Sequence, residues 1–139
     1  MSTPQSLGRT AATGRKTTVL VVDDAIYSRV ALRRILETEA DFEVIAEAEN
    51  GVEAVKKYKL YRPDVVLMDI VMPEQDGIEA LRELVSFDPE CRVIMCSAIG
   101  QEKMLTTAIS LGAKDYILKP PVADKIISSI RMVVSAGMD

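Results

Sequence analysis

Asp69 closes the apolar run Val65-Val66-Leu67-Met68 and precedes Ile70-Val71-Met72-Pro73-Glu74-Gln75-Asp76-Gly77, a loop carrying Pro and Gly. An earlier run, Val19-Leu20-Val21-Val22, ends in Asp23-Asp24, and two later runs end in Ser97 and just before Lys119. A carboxylate at the end of a buried strand projects at the sheet edge where chemistry in open α/β folds usually sits. Two carboxylates about 4 Å apart repel by roughly 4 kcal/mol at an effective dielectric near 20, so something cationic must offset them. Oxygen ligands without His or thiolate suit a hard ion, and carboxylates that leave room for water and phosphate oxygens suit Mg²⁺. Lys119 alone leaves the cluster net negative and organises it only through its donors. The same parts fit phosphoryl transfer to an aspartate. Asp69 would be the nucleophile, an ion held by Asp23, Asp24 and Asp69 would draw charge from the transferring group, and Lys119 and Ser97 would each bind a phosphoryl oxygen. Such charge-assisted contacts exist only once the phosphate is present, and they recruit groups from different strands, so the chemistry implies a switch.

Those residues converge only if their strands run parallel, and the rest of the pattern supports this. After the first run, Ile26, Val30, Ala31 and Ile35 recur at helix spacing, and Phe42-Glu43-Val44-Ile45-Ala46 reads as a second strand. Val52 and Val55 mark a helix that Arg62-Pro63 ends, and Val65 to Asp69 is the third strand. Ile78, Leu81 and Val85 give the next helix its face, and Arg92 to Ser97 supplies the fourth strand. Leu105, Ala108 and Ile109 line a helix stopped by Gly112, a C-cap by type and position, ahead of a short strand over Lys114 to Leu118. Ile126, Ile130 and Val133 lie on the last helix. Five alternations of strand and helix, with strands apolar on both faces, predict a doubly wound α/β fold with helices on each side of a parallel sheet.

Composition narrows the function classes. A chain of 139 residues with 48% apolar content has the size and core of one ordinary domain. No stretch approaches the roughly 18 apolar residues of a membrane span, and the N-terminus lacks the continuous apolar segment of a secretory signal, so a cytoplasmic location is expected with no membrane partner. The net charge is −4, yet residues 1–16 hold Arg9, Arg15 and Lys16 without an acid, so the remaining body is more acidic still. That argues against nucleic acid as a partner. The opening segment is small, polar and aperiodic and reads as a disordered tail over 1–16. Its Gly14-Arg15-Lys16-Thr17 has the wrong glycine spacing for a phosphate loop and precedes the first strand. Cys91 and Cys96 have neither metal-site spacing nor a disulfide framework and read as reduced packing residues. Lys56, Lys57 and Lys59 read as a solvated helix face, and Asp23-Asp24 taken alone is also compatible with a strand end and helix cap.

Val21-Val22-Asp23-Asp24, Met68-Asp69-Ile70-Val71-Met72-Pro73 with Asp76-Gly77, Ser97-Ala98 and Lys119-Pro120, in that order, resemble the receiver domain of bacterial two-component response regulators. The resemblance spans about residues 17 to 135 and implies a flavodoxin-like, five-stranded sheet of order 2-1-3-4-5 with five helices, the domain occupying 17–139. It further implies that Asp69 is the phosphoacceptor and that Asp23, Asp24, Asp69 and the backbone carbonyl of Val71 hold Mg²⁺. Lys119, Ser97 and the Ala98 backbone would bind phosphate, and Ser97 and Tyr116 would be paired switch residues. Ala46-Glu47-Ala48-Glu49-Asn50-Gly51, Met95-Cys96-Ser97-Ala98-Ile99-Gly100-Gln101 and Gly112-Ala113-Lys114-Asp115-Tyr116 are similar to non-enteric chemotaxis regulators, which are stand-alone receivers. That similarity implies a monomeric signalling switch and not an enzyme, with output through a protein-contact face at Lys103, Leu105, Ala108, Tyr116, Lys119, Lys125 and Ile126. The implied partners are a chemotaxis-type histidine kinase as phosphodonor, the flagellar motor switch, and a phosphatase.

Two positions depart from the familiar pattern. Val71 and Ile99 stand two residues past Asp69 and Ser97, where many family members carry polar side chains. Three other readings use similar parts. A phosphorelay intermediate would hand its phosphoryl group to another protein's histidine. A haloacid-dehalogenase-type phosphatase would need a second aspartate two past the nucleophile, where Val71 stands, and a cap insertion. A flavin-binding reading lacks a Ser/Thr-rich cradle after the first strand and has only 4% aromatic residues to draw on.

Overall fold

Strands form where the sequence offers short runs apolar on both faces, and helices where apolar residues recur every three or four. In the structure, a computed structural model describing residues 15–136, these are β1 (Thr17–Val22), α1 (Ile26–Leu36), β2 (Phe42–Ala48), α2 (Gly51–Tyr61), β3 (Val65–Asp69), α3 (Gly77–Phe87), β4 (Val93–Ser97), α4 (Glu102–Leu111), β5 (Asp115–Leu118) and α5 (Ala123–Ala136). The tail expected over 1–16 lies, save for its last two residues, outside the described residues. The five strands are parallel in the order β2-β1-β3-β4-β5, as expected. Among the described residues no helix is long and apolar enough to cross a membrane.

Strand alternation divides the core in two. Val19, Val21, Val65, Leu67 and Ile94 pack with Leu32 and Leu36 of α1 and Ile126, Ile130 and Val133 of α5. Leu20, Val22, Val66, Met68 and Met95 pack with Ala54 and Tyr58 of α2, Leu81 and Leu84 of α3, and Leu105 and Ala108 of α4. The chain leaves β1 for β2 on one side and returns for β3 on the other. Loops after β1 and β3 therefore diverge and leave a crevice at the C-terminal edge.

Helix termini follow local chemistry. Asn50 Oδ1 accepts from the Glu53 amide to cap α2, and Asp76 with Glu79 forms a capping box at α3. Gly112, at φ 123°, ends α4 as expected, its amide reaching Ala108 and Ile109 carbonyls. Two helix faces differ from the sequence reading. In α1 the inward residues are Leu32 and Leu36, with Ile35 partly covered, whereas Ile26, Val30 and Ala31 face outward. The burial of Leu32 and Leu36, four residues apart, sets this face, and Arg29 and Arg33 beside them lie over β2 and bond Glu47. In α4, Ile109 is exposed because Leu105 and Ala108 already fill the contact with the sheet.

Gly77 is required where α3 meets the end of β3. Its amide donates to the Ile70 carbonyl at 2.7 Å, and a Cβ there would stand 2.2 Å from the Asp69 carbonyl oxygen and 3.0 Å from Ile70 Cα. Both obstacles are backbone, so neither can rotate aside. Gly77→Ala is expected to lower the unfolding free energy by roughly 1–3 kcal/mol, measured by urea denaturation. A loss too small to resolve would mean that the loop after Asp69 yields freely.

Candidate functional site

Strand register assembles the site. Val22 pairs with Met68, which sets Asp23 beside Asp69 at the ends of adjacent central strands. Asp69 pairs with Cys96 and Ser97 with Leu118, so Ser97 and Lys119 follow on the next two strands. Carboxylate oxygens of Asp23, Asp24 and Asp69 lie within 4.8 Å of one another. Lys119 Nζ donates to Asp23 Oδ2 at 2.8 Å and lies 3.1 Å from Asp69 Oδ2. Asp23 and Asp69 are buried, Asp24 is exposed, and the group offers hard oxygen ligands with an open side. This donor set fits a divalent cation of the Mg²⁺ type. Asp23 does not cap α1 in the usual way: the N-cap is Ala25, and Asp23 Oδ1 instead accepts the Ala25 amide at 2.9 Å.

The electrostatics reflect crowding. Burial, with the charge of Asp23 added, pushes the Asp69 carboxyl above its usual value, although Lys119 pulls the other way. Burial alone would depress the Lys119 ammonium, but its hydrogen bond to Asp23 and the charges of Asp69 and Asp23 hold it above its ordinary value. A firmly protonated lysine would by itself lower Asp69, so desolvation and the second carboxylate win at that residue. Cys96, fully buried beside them, has its thiol pushed up to about 12 by desolvation and stays protonated, an inert packing group as expected.

The other expected residues have distinct situations. Ser97 Oγ is buried and has no hydrogen-bond partner among the described residues, which leaves a hydroxyl able to meet an incoming oxygen. The Ala98 amide is engaged by Gln101 Oε1 at 2.8 Å. Gln101 ends a segment similar to chemotaxis regulators, but nothing in its type or spacing tied it to the Ala98 amide. Tyr116 presents its ring outward from β5, 48% exposed, and Val71 and Ile99 stand at the rim, 50% and 87% exposed. On the expected partner face, Leu105, Ala108 and Ile126 are buried in the core and offer no surface, because helix periodicity turns them onto the sheet. Lys103, Tyr116 and Lys125 are exposed there, joined by Met104, Ile109, Leu118 and Val122, and Lys119 points into the acidic site.

A parallel sheet carrying three carboxylates, a lysine and a free hydroxyl at its switch point defines a receiver module, the acceptor half of a phosphoryl signalling pair. Residues 19–131 match the response regulator receiver domain, and the chain belongs to that family of phospho-accepting response regulators. It is 52% identical over 112 residues to the chemotaxis protein CheY of Listeria monocytogenes, covering 81% of this chain and 93% of that one. It is 50% identical over 117 residues to CheY of Bacillus subtilis, covering 84% and 97%. Among solved structures it is similar to the complex of CheX with CheY, BeF3 and Mg²⁺ from Borrelia burgdorferi, with a TM-score of 0.83, 39% identity and coverage of 88% and 92%.

A carboxyl whose folded pKa is raised costs stability once the unfolded state ionises more readily. For Asp69 the cost is absent well below the ordinary carboxylate value of 3.8, sets in as pH rises through it, and is complete above the folded pKa. In metal-free buffer Asp69→Asn is therefore expected to be more stable than wild type near neutral pH, the advantage vanishing in acid. Thermal unfolding across pH checks this, and a less stable variant at neutral pH would mean that the Lys119 ion pair outweighs desolvation.

Proposed function

We propose that this chain is a stand-alone chemotaxis response regulator in which Asp69 accepts a phosphoryl group from a histidine kinase. One observation carries the reading: the three carboxylates and Lys119 meet at the switch point of a parallel sheet, with Asp69 at its centre. In the transfer, an Asp69 oxygen attacks phosphorus in line, the new P–O bond forms as the P–N bond to the donor histidine breaks, and the imidazole leaves with a proton. Asp23, Asp24 and Asp69, with the Val71 carbonyl, would hold Mg²⁺, which when bound offsets the clustered charge and that of the phosphoryl oxygens.

The chain's own groups do the rest. Lys119, now shared between Asp23 and Asp69, turns one donor to a phosphoryl oxygen. Ser97 Oγ, without a partner, donates to a second oxygen, and the Ala98 amide becomes available as Gln101 lets go. Movement of Ser97 toward phosphate opens space into which the exposed Tyr116 ring turns, changing the surface around Lys103, Tyr116 and Lys125. The output is a protein contact, and the flagellar motor switch is the partner we assign, on the chain's likeness to chemotaxis proteins. A cytoplasmic monomer occupying residues 17–139, with a phosphatase as a further partner, completes the reading. Val71 in place of an acid two residues beyond Asp69 disfavours a phosphatase of the haloacid-dehalogenase type.

Intact mass after incubation with Mg²⁺ and a small acyl phosphate tests the proposal. A single phosphoryl adduct is expected for wild type, and none for Asp69→Asn or with chelator. No adduct on folded wild type that binds Mg²⁺ would overturn it. Val71 and Ile99 supply no polar atom that could orient an attacking water. The double variant Val71→Asn, Ile99→Glu is accordingly expected to lose its phosphoryl group several-fold faster, followed by the decay of the adduct. An unchanged lifetime would sink that account of the rim.

A further inference from the structure

The loop that carries Asp23 and Asp24 is fastened at its start, where the Asp23 amide donates to the Ala48 carbonyl at 3.0 Å and Asp23 Oδ1 accepts the Ala25 amide at 2.9 Å, but no side chain caps the helix that follows. Helix α1 begins at Ala25 with no side-chain cap and no acid in its first turn, whereas α2 and α3 both have capped starts. Asp24 is exposed, and Asp23 lies one residue beyond the end of β1. Asp24, one residue further from the strand, is the least enclosed of the three carboxylates.

Arg29 adds one side-chain restraint to this loop, its backbone amide making only the first bond of the helix, as any residue there would. Its backbone amide donates to the Ala25 carbonyl at 3.2 Å, and its guanidinium Nη1 donates to the Asp23 carbonyl at 2.7 Å. The two bonds bracket Asp24. Arg29 is itself held: Nε donates to Glu47 Oε1 at 3.0 Å, and the side chain is only 12% exposed. Glu47 in turn accepts from Arg33 Nε at 2.9 Å and Nη2 at 2.6 Å, while the Glu47 backbone carbonyl accepts from Lys57. Lys57 is thus no solvated bystander. A chain of bonded groups, Lys57, Glu47, Arg33 and Arg29, runs from α2 and the end of β2 to the acidic loop, and none of these four belongs to the carboxylate cluster itself.

We infer that Arg29, oriented by Glu47, is a positioning residue that presents the Asp23 and Asp24 carboxylates to a divalent cation. The inference rests on the proposed function, since it assigns a supporting layer to that same site. Two effects of Arg29 oppose each other. Its positive charge repels a cation, so removing it would tighten binding if charge dominated. Its hydrogen bonds fix the ligand loop, so removing them weakens binding if geometry dominates. Glu47 lies against the guanidinium and offsets much of its charge, so geometry wins. Losses of supporting hydrogen bonds around metal sites run to about 10–100-fold in affinity.

Isothermal titration of the full chain with Mg²⁺ tests this. Arg29→Ala is expected to weaken Mg²⁺ binding about tenfold or more, and Arg29→Lys, which can reach the Asp23 carbonyl or Glu47 but not hold both in a planar fork, to recover part of the loss. Arg29→Gln, which loses the charge but can still donate to the Asp23 carbonyl, should weaken binding less than Arg29→Ala does, and if Arg29→Ala does not fold it decides the matter: weaker binding than wild type supports the inference, and unchanged or tighter binding overturns it. Arg131→Ala, which breaks surface ion pairs to Glu39 and Asp41 remote from the loop, should leave affinity unchanged. Unchanged or tighter binding by folded Arg29→Ala, or an equal loss in Arg131→Ala, would overturn the inference. Wild type that binds no Mg²⁺ and forms no phosphoryl adduct would overturn the proposed function on which it rests.

Discussion

Two carboxylates that would separate in water are held side by side because β1 and β3 are neighbours in register. Asp23 and Asp69 have no freedom to part: each follows a run of fully buried residues, and each run is packed on both faces. The repulsion is met in part by one ammonium, Lys119, delivered from the last strand of the sheet. Every element of the fold contributes to this arrangement, since moving either strand by one residue would turn its carboxylate from the edge into the core. The site therefore stays short of positive charge. An incoming cation relieves that shortage and an incoming phosphoryl group restores it.

The same constraint explains how much of the structure was legible in the sequence. Runs such as Val19 to Val22 and Val65 to Met68 could only be buried strands, and their polar ends had to collect at one edge once the strands were parallel. Gly112 announced its own cap. CheY is itself a standard example of the 2-1-3-4-5 order that follows the switch-point rule, so the site's place was known for this fold and not newly derived. The face of α1 was only half legible: Leu32 and Leu36 stand four apart just as Ile26 and Val30 do, and what would tell the pairs apart, the bonds of Arg29 and Arg33 to Glu47, spans 18 and 14 residues of sequence. Gln101 on the Ala98 amide escaped notice for a similar reason: a lone polar residue at a helix start has no pattern until its partner is known. Leu105, Ala108 and Ile126 were right as core residues and wrong as surface, since one residue cannot serve both.

What joins the acidic edge to the outer surface is the β4–β5 ladder. The Lys119 amide donates to the Ser97 carbonyl at 2.8 Å, so the lysine and the hydroxyl that face the site belong to one hydrogen-bonded unit. Tyr116 pairs with Met95 in the same ladder, and Tyr116 and Leu118 project from it into solvent. A ligand that engages Ser97 Oγ and Lys119 Nζ together pulls on adjacent strands at their tips, whereas one that engages Asp69 alone pulls only on the sheet's rigid centre. Of the two, only the first has a physical route to the outer face, because β5 is the edge strand and the only one of that pair free to shift without disturbing a neighbour beyond it. Coupling of this kind needs an element with two arrangements that both sites bias. The unpaired Ser97 hydroxyl and the outward ring of Tyr116 are the two groups that the proposed switch would move.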